Sequence, residues 1–256
     1  MSTATAAPRR TSPYVAVLRA EARLMSREPG ILFWAVGFPP LLLVILGLIP
    51  AFREPSAGLG GLRTIDVYVP VLVLTAIIMT GLQTMPPVIT GYRERGILRR
   101  MSTTPVRPAA LLSAQMVLTG GIALGSAIVC LLIGRLVYDV RLPQQPIAYT
   151  FALLLTTAGA LAFGALITAV ARTAKVAAAI GSAVFFPSLA CAGMWLPVQA
   201  MPDLMARIVT LTPFGAAAQA LGDAATGAWP AWSDLGVVAA WALVLSAAAM
   251  RWFRWQ

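Results

Sequence analysis

The residues of this sequence that are best able to do chemistry form one run, residues 92–108, which contains five arginines and one glutamate. A guanidinium group stays charged at physiological pH and pairs with carboxylates or phosphates through several N–H donors. Burying one arginine at the centre of a bilayer costs roughly 2.5–3.5 kcal/mol on insertion scales. The run must therefore lie in water or against a partner, and we name it the docking segment.

Apolar residues stand between these charges. Ile97, Leu98 and Met101 share one face of a helix, because residues three and four positions apart are neighbours on a helix surface. We therefore expect a short helix with an apolar ridge that is edged by charge. Such a ridge fits a groove on another protein.

The remainder of the sequence is poor in catalytic groups. No histidine is present, and Cys130 and Cys191 lie in apolar stretches without a metal-binding spacing. Lys175, the one lysine, follows Ala174, so it does not belong to the G-x-x-x-x-G-K-[ST] loop that holds nucleotide phosphates. Serines are present, but the usual histidine base is missing, which argues against an intramembrane hydrolase.

Two transport alternatives have weaker support. A secondary carrier is expected to keep ionisable groups inside its spans. Here Arg135 is the one charge within an apolar stretch, and we expect it to pair with Asp139 or to extend to the membrane surface. A passive channel would need a filter loop or a ring of like charges, and the sequence has no such pattern.

The elements that must position the docking segment are membrane helices. The chain is 59% hydrophobic and 11% charged, with a mean hydropathy of +0.82, whereas soluble domains are roughly 45–50% apolar and roughly 25% charged. A span needs about 20 apolar residues. We expect an all-α membrane protein whose six spans cover approximately residues 31–51, 66–91, 109–138, 147–170, 175–196 and 234–252. These spans form one domain over 31–256, with the docking segment after the second span and an outer loop at 197–233.

The positive charges predict the orientation. With residues 1–30 in the cytoplasm, fourteen Lys and Arg residues lie inside and five outside, as the positive-inside rule requires. An even number of spans places both termini in the cytoplasm. The first thirty residues lack the apolar core of a signal peptide.

The net charge of the chain is +10. The arginines that produce it flank the spans and do not form a soluble basic surface. We therefore expect membrane lipids and a protein partner, and we do not expect nucleic acid.

Residues 1–30 also predict a cytoplasmic tail followed by an amphipathic helix in the membrane surface. Arg19, Arg23 and Arg27 form a charged stripe opposite an apolar arc. Glu21 interrupts that arc, and an acid there would prefer a cationic partner. We expect this partner to be an arginine of residues 93–100.

The order of residues in the docking segment is similar to a known signature. It reads Glu94-Arg95-Gly96-Ile97-Leu98-Arg99-Arg100-Met101, followed by Thr104-Pro105. This resembles the E-x-G-T-L-x-R-L…T-P signature of the ABC type-2 exporter permeases, in which this loop is a coupling helix that docks on the ATPase. Ile97 replaces the usual threonine, so the hydrogen bond of that side chain is lost. The resemblance implies that ATPase coupling involves these residues and Arg93.

The same resemblance implies the partners and the location. Two ABC ATPase subunits would hold ATP and Mg, and the chain itself would bind no cofactor. A second permease copy, identical or not, would complete the pathway. The location would be a bacterial cytoplasmic (inner) membrane.

A second part of the chain resembles the same family. Gly193-Met194-Trp195-Leu196-Pro197 and later Thr212-Pro213 are similar to the family's G-x-x-x-P at the end of the fifth span and its closing N/T-P. The resemblance implies short outer re-entrant or interfacial helices that cap an exit, and an ordinary outer loop is the alternative. The branch typified by daunorubicin-resistance permeases is the nearest, which implies multidrug efflux and antibiotic resistance.

By resemblance, the second and fifth spans line a cavity between two permease copies. The candidates for its wall are Met79, Gln83, Phe185, Phe186 and Met194. Flexible and aromatic side chains of this kind suit a drug, lipid or other amphipathic cargo. Packing within the helix bundle is the alternative role for each.

Overall fold

A computed structural model of the chain describes residues 13–56, 61–101, 108–196 and 201–252. Helices dominate these residues, and the strand-like contact among them is an isolated antiparallel bridge between Pro55 and Arg63. Because backbone N–H and C=O groups have no water partner in a bilayer, a helix is the conformation that satisfies them within one segment. The expected all-α membrane fold is confirmed.

The helices follow one another with short connections. Within the described ranges they are α1 (Pro13–Ser26), α2 (Pro29–Leu32), α3 (Phe38–Gly47), α4 (Thr64–Met79), α5 (Met85–Glu94), α6 (Ile97–Met101), α7 (Pro108–Tyr138), α8 (Pro146–Val170), α9 (Ala174–Cys191), α10 (Asp203–Thr210), α11 (Pro213–Thr226) and α12 (Trp232–Trp252). A π-helical turn, Phe33–Gly37, joins α2 to α3, and a second, Thr80–Thr84, joins α4 to α5.

Five helices of the described chain are long and apolar enough to cross a membrane. They are Thr64–Glu94, Ala110–Tyr138, Pro146–Val170, Ala174–Cys191 and Trp232–Trp252. In the region of the first predicted span, 31–51, the apolar helix Phe33–Gly47 is shorter. Its helical backbone is continuous with α2, so residues 29–47 extend about 28 Å at 1.5 Å per residue. That length is close to the hydrocarbon thickness of a bilayer.

The region predicted as an outer loop contains two different helices. α10 and α11 are bent by 97° relative to each other, so together they form either a broken span or a re-entrant pair. α10 exposes Leu204 and Ile208, and Leu211 directly after the helix is also exposed. α11 instead is buried against α8 and α12. Its small residues, Gly215, Ala216, Ala217, Ala220 and Ala224, allow this close packing.

The helix Thr64–Glu94, which we name the second span, lies at the centre of the bundle. Of its most apolar 18-residue stretch, 78% is buried inside the protein, whereas the corresponding share is 22–50% for the other four long helices. Its middle is the π-helical turn Thr80–Thr84, and glycines of the neighbouring helices contact this turn. An added Cβ at Gly164 of α8 would overlap the carbonyl oxygen of Gly81, and one at Gly181 of α9 would overlap that of Leu82. These two glycines allow α8 and α9 to approach the backbone of the second span.

The two ends of the second span carry different side chains. We name them the Arg63 end, where α4 begins, and the Arg93 end, where α5 finishes. At the Arg63 end, the guanidinium of Arg63 donates to both carboxylate oxygens of Asp66 and to the carbonyl oxygen of Tyr138 at 3.0 Å. Arg63 thereby joins α4 to the end of α7. Arg135 pairs with Asp139 at 2.6 Å, which confirms the predicted role of that arginine.

Candidate coupling site at the Arg93 end

The docking segment begins with a sharp change of chain direction. α5 stops at Glu94, and Gly96 adopts a left-handed backbone with φ +66°, which glycine tolerates far better than other residues. The five-residue helix α6 follows at once. Glu94, Arg95 and Arg100 have exposed side chains, while Gly96 and Ile97 are half-buried. The described part of the segment therefore presents charged groups on a defined turn.

The predicted apolar ridge of Ile97, Leu98 and Met101 is not fully exposed, because Leu98 is buried. Leu98 is only 2% exposed, so it packs inside its own chain and is closed to a partner. The left-handed turn at Gly96 folds α6 back towards α5, and this direction brings Leu98 inward. Of the predicted ridge, Ile97 remains partly accessible. The side chains of Arg99 and Met101, and all of Thr104 and Pro105, lie outside the described residues.

Arg93 also has a role within the chain. Its guanidinium donates a hydrogen bond to the carbonyl oxygen of Thr168 at 3.1 Å and another to that of Ala171. The last carbonyl groups of a helix lack partners within the helix, and a cation near them is favourable. Arg93 thus caps the end of α8 and ties the second span to the turn before α9. The sequence grouped it with the docking residues, but these bonds turn its guanidinium towards α8.

The residue before it, Tyr92, binds the N-terminal helix. Its hydroxyl donates a 2.7 Å hydrogen bond to Glu21 Oε2, and Glu21 is 7% exposed. The prediction named an arginine of residues 93–100 as the partner, and the donor in the structure is instead Tyr92. Burial raises the pKa of Glu21 above its usual value of 4.5, and the hydrogen bond from Tyr92 opposes this rise in part.

The N-terminal helix α1 packs against α7 and presents its arginines outward. Arg19, Arg23 and Arg27 are exposed, whereas Glu21 and Met25 are buried on the opposite side. A four-residue spacing places these two side chains on one face of the helix. The helix therefore has a cationic outer surface and is attached to the bundle through Glu21.

The candidate path residues occupy different environments. Met79 and Phe185 are each 8% exposed and belong to the core, while Phe186 is 58% exposed. Gln83 Oε1 accepts a 3.3 Å hydrogen bond from Ser182, which links the second span to α9. The carbonyl oxygen of Met194 accepts one from Tyr68 at 3.2 Å. Within the single chain, Met79 and Phe185 are therefore buried, while Gln83, Phe186 and Met194 are at least partly exposed.

Sequence reasoning missed Tyr92 and the Arg63–Asp66 pair. Tyr92 stands at the boundary between an apolar run and a charged run, and its sequence context does not indicate a partner 71 positions away. The Arg63–Asp66 pair did carry a signal, because opposite charges three residues apart at the start of a helix attract each other.

Comparison with known proteins agrees with this architecture. A family model described as ABC-2 family transporter protein matches residues 56–251. The chain is also 32% identical over 157 residues to YvfS of Bacillus subtilis (strain 168), whose name describes it as a transport permease. The match covers 59% of this chain and 62% of that relative.

Proposed function

Because the chain belongs to the ABC-2 family of transporter proteins, we propose that it is the permease subunit of an ATP-driven exporter whose ATPase is a separate polypeptide. The observation that carries this proposal is the exposed, charged turn formed by Glu94, Arg95 and Arg100 at the Arg93 end. This turn is connected through Tyr92 to α1 and through Arg93 to α8. A force applied to it would therefore reach α1, α8 and the second span itself.

ATP hydrolysis belongs to the partner in this proposal. Within these 256 residues the single lysine, Lys175, lies outside any P-loop pattern. ATP and Mg would bind to the ATPase subunit, and closure of that subunit would change the side to which the permease opens. The chain would act in transport and not as an enzyme.

The proposed assembly contains two permease copies and two ATPase subunits in a bacterial cytoplasmic membrane. The long apolar helices support a multi-pass membrane protein. The excess of arginine near the predicted inner ends of the spans supports cytoplasmic termini. The exposed stripe of Arg19, Arg23 and Arg27 is suited to anionic lipid headgroups on that side.

The proposed cargo is a drug, lipid or other amphipathic molecule, so the protein would contribute to multidrug efflux or antibiotic resistance. Support comes from Gln83 on the second span, Phe186 on α9 and Met194 just after α9, which are at least partly exposed in the single chain. Methionine and aromatic side chains accept varied shapes. Phe186, which is exposed in the single chain, is the one of these best placed to meet a second copy.

Purification from native membranes in a mild detergent tests the proposal. We expect a P-loop ATPase to accompany the permease, and we expect its ATP hydrolysis to depend on the permease. A permease that is purified without an ATPase and that moves amphipathic dyes across vesicles without ATP would contradict the proposal, because it would then be a channel or a secondary carrier.

A further inference from the structure

A cavity of about 910 Å³ lies at the Arg63 end of the bundle, in the part of the chain that the structure describes. Its wall is formed by the first part of α4, the end of α7 with the loop that follows, and α11. Val67, Val71 and Leu131, which are partly exposed, provide apolar surface. This volume is comparable with pockets that hold one drug-sized ligand, roughly 300–1,000 Å³. None of the five candidate path residues lines it.

Hydrogen bonds hold the wall in place from two sides. Arg63 binds Asp66 of α4 at 2.7 Å and the carbonyl oxygen of Tyr138 at 3.0 Å, which fixes α4 to α7. The backbone N–H groups of Gln144 and Gln145 donate to the carbonyl oxygens of Ala225 and Ala224, at 3.3 and 3.1 Å. These bonds fix the loop after α7 to the end of α11. The cavity is therefore pre-formed, and a ligand would not have to order its walls.

The charges of the wall distinguish between ligand classes. Both acidic groups are already paired, Asp66 with Arg63 and Asp139 with Arg135. Arg141 lines the cavity, is exposed and has no acidic partner among the described residues. The amide of Gln219 also lines it and makes no side-chain hydrogen bond within the described chain. A cationic ligand would find no unpaired carboxylate here, whereas an anion would find Arg141.

We propose that this cavity binds an anionic amphiphile, with its apolar part against Val67, Val71 and Leu131 and its anionic group towards Arg141. The side chain of Gln219 can donate a hydrogen bond to the polar part of the ligand. This site lies inside one chain and differs from a path between two copies. Binding needs neither ATP nor an ATPase, so it can be tested independently of the proposed export.

The structure provides a variant that fills the cavity with little disturbance of the protein. Gly222 of α11 lines the cavity, and a Cβ added there would have no heavy atom within 4 Å. Gly222→Leu therefore places a side chain in open space. Gly236 of α12 has equally open surroundings and is outside the wall, so Gly236→Leu is the matched control.

The probe is dodecanoate that carries a photoreactive diazirine. It is added to the purified permease in nanodiscs of phosphatidylcholine, and the labelled peptides are identified by mass spectrometry. We expect label on α4 and α11, and we expect Gly222→Leu to reduce it about tenfold because the added side chain takes ligand volume. Gly236→Leu should leave the label unchanged. Equal labelling of the wild type and Gly222→Leu, with both proteins monodisperse, would overturn the proposal.

Competition tests the preference for an anion. Unlabelled dodecanoate should displace the probe, while dodecyltrimethylammonium of the same chain length should not. Arg141→Gln should weaken dodecanoate binding about two- to fivefold, as expected for an exposed ionic contact. Equal displacement by the cation would overturn the assignment. Nanodiscs that contain phosphatidylglycerol distinguish two sources of the anionic ligand. Loss of probe labelling in these nanodiscs would identify the ligand as an anionic membrane lipid. Unchanged labelling would identify it as a single-chain amphiphile.

Discussion

The hydroxyl of Tyr92 donates a 2.7 Å hydrogen bond to Glu21 Oε2, and this bond attaches α1 to the Arg93 end of the second span. Tyr92 and Glu21 stand 71 positions apart in the chain. A hydrogen bond to a charged group contributes about 1.5–3 kcal/mol. The bond places the N-terminal helix directly beside the segment to which we assign coupling.

The buried carboxyl of Glu21 should make the attachment of α1 depend on pH. Its pKa is raised in the folded protein, because burial disfavours the charged form more than the bond from Tyr92 stabilises it. The folded state then binds the proton more tightly than the unfolded state. This contribution to stability is fully present below the usual pKa of 4.5 and is lost as pH rises through the folded pKa. Thermal unfolding of the purified permease at a series of pH values measures it.

Glu21→Gln is the control for this pH effect, because glutamine keeps an acceptor oxygen for Tyr92 but does not titrate. We expect the variant to lose the decrease in melting temperature over that pH range. A wild-type and variant pair with identical pH profiles would refute the effect.

The exposed charge of Arg95 should be needed for docking. Arg95→Glu reverses one charge of the exposed turn, and we expect about a tenfold loss of ATPase binding, since a like charge at an interface is unfavourable. Arg207→Glu makes the same change on exposed α10 and should not affect binding. Co-purification of the ATPase measures both. Equal retention of the ATPase by the two variants would show that Arg95 does not contribute to the interface.

The close helix contact at the centre of the second span should not tolerate a methyl group. Gly164→Ala would place a Cβ against the carbonyl oxygen of Gly81, and we expect the free energy of unfolding to fall by about 1–3 kcal/mol. Gly125→Ala on α7 adds the same methyl group where no heavy atom lies within 4 Å. We expect that variant to keep its stability. Unfolding in mixed detergent micelles measures the difference, and equal stability would exclude the close contact.

Two buried tyrosines should respond oppositely to loss of their hydroxyl groups. The Tyr138 hydroxyl donates to the carbonyl oxygen of Val44 at 3.0 Å, while the Tyr149 hydroxyl is buried and has no partner in the described chain. Tyr138→Phe should lower the free energy of unfolding by about 1 kcal/mol, and Tyr149→Phe should leave it unchanged or raise it. Equal losses in both variants would mean that Tyr149 has a partner.

The sequence predicted those features that depend on composition and local pattern. The long apolar run of residues 66–91 predicted a long helix. The four-residue spacing of Arg19, Arg23 and Arg27, opposite apolar residues, predicted the amphipathic helix α1. The direction of Leu98 could not be predicted, because it depends on the left-handed turn at Gly96 and on packing against α5. The burial of α11 could not be predicted from the sequence either. Its alanines are compatible with an exposed or a buried helix, and only the neighbouring helices decide between these.

The second span is longer than a bilayer is thick. Its 31 residues extend roughly 45 Å at 1.5 Å per residue, against about 30 Å of hydrocarbon. Gly164 and Gly181 contact it near its midpoint, and the hydrogen bonds of Arg63 and Arg93 join its two ends to α7 and α8. In the proposed assembly, a displacement of Glu94 by the ATPase would therefore pass along one continuous helix to Asp66 in the wall of the cavity at the opposite end.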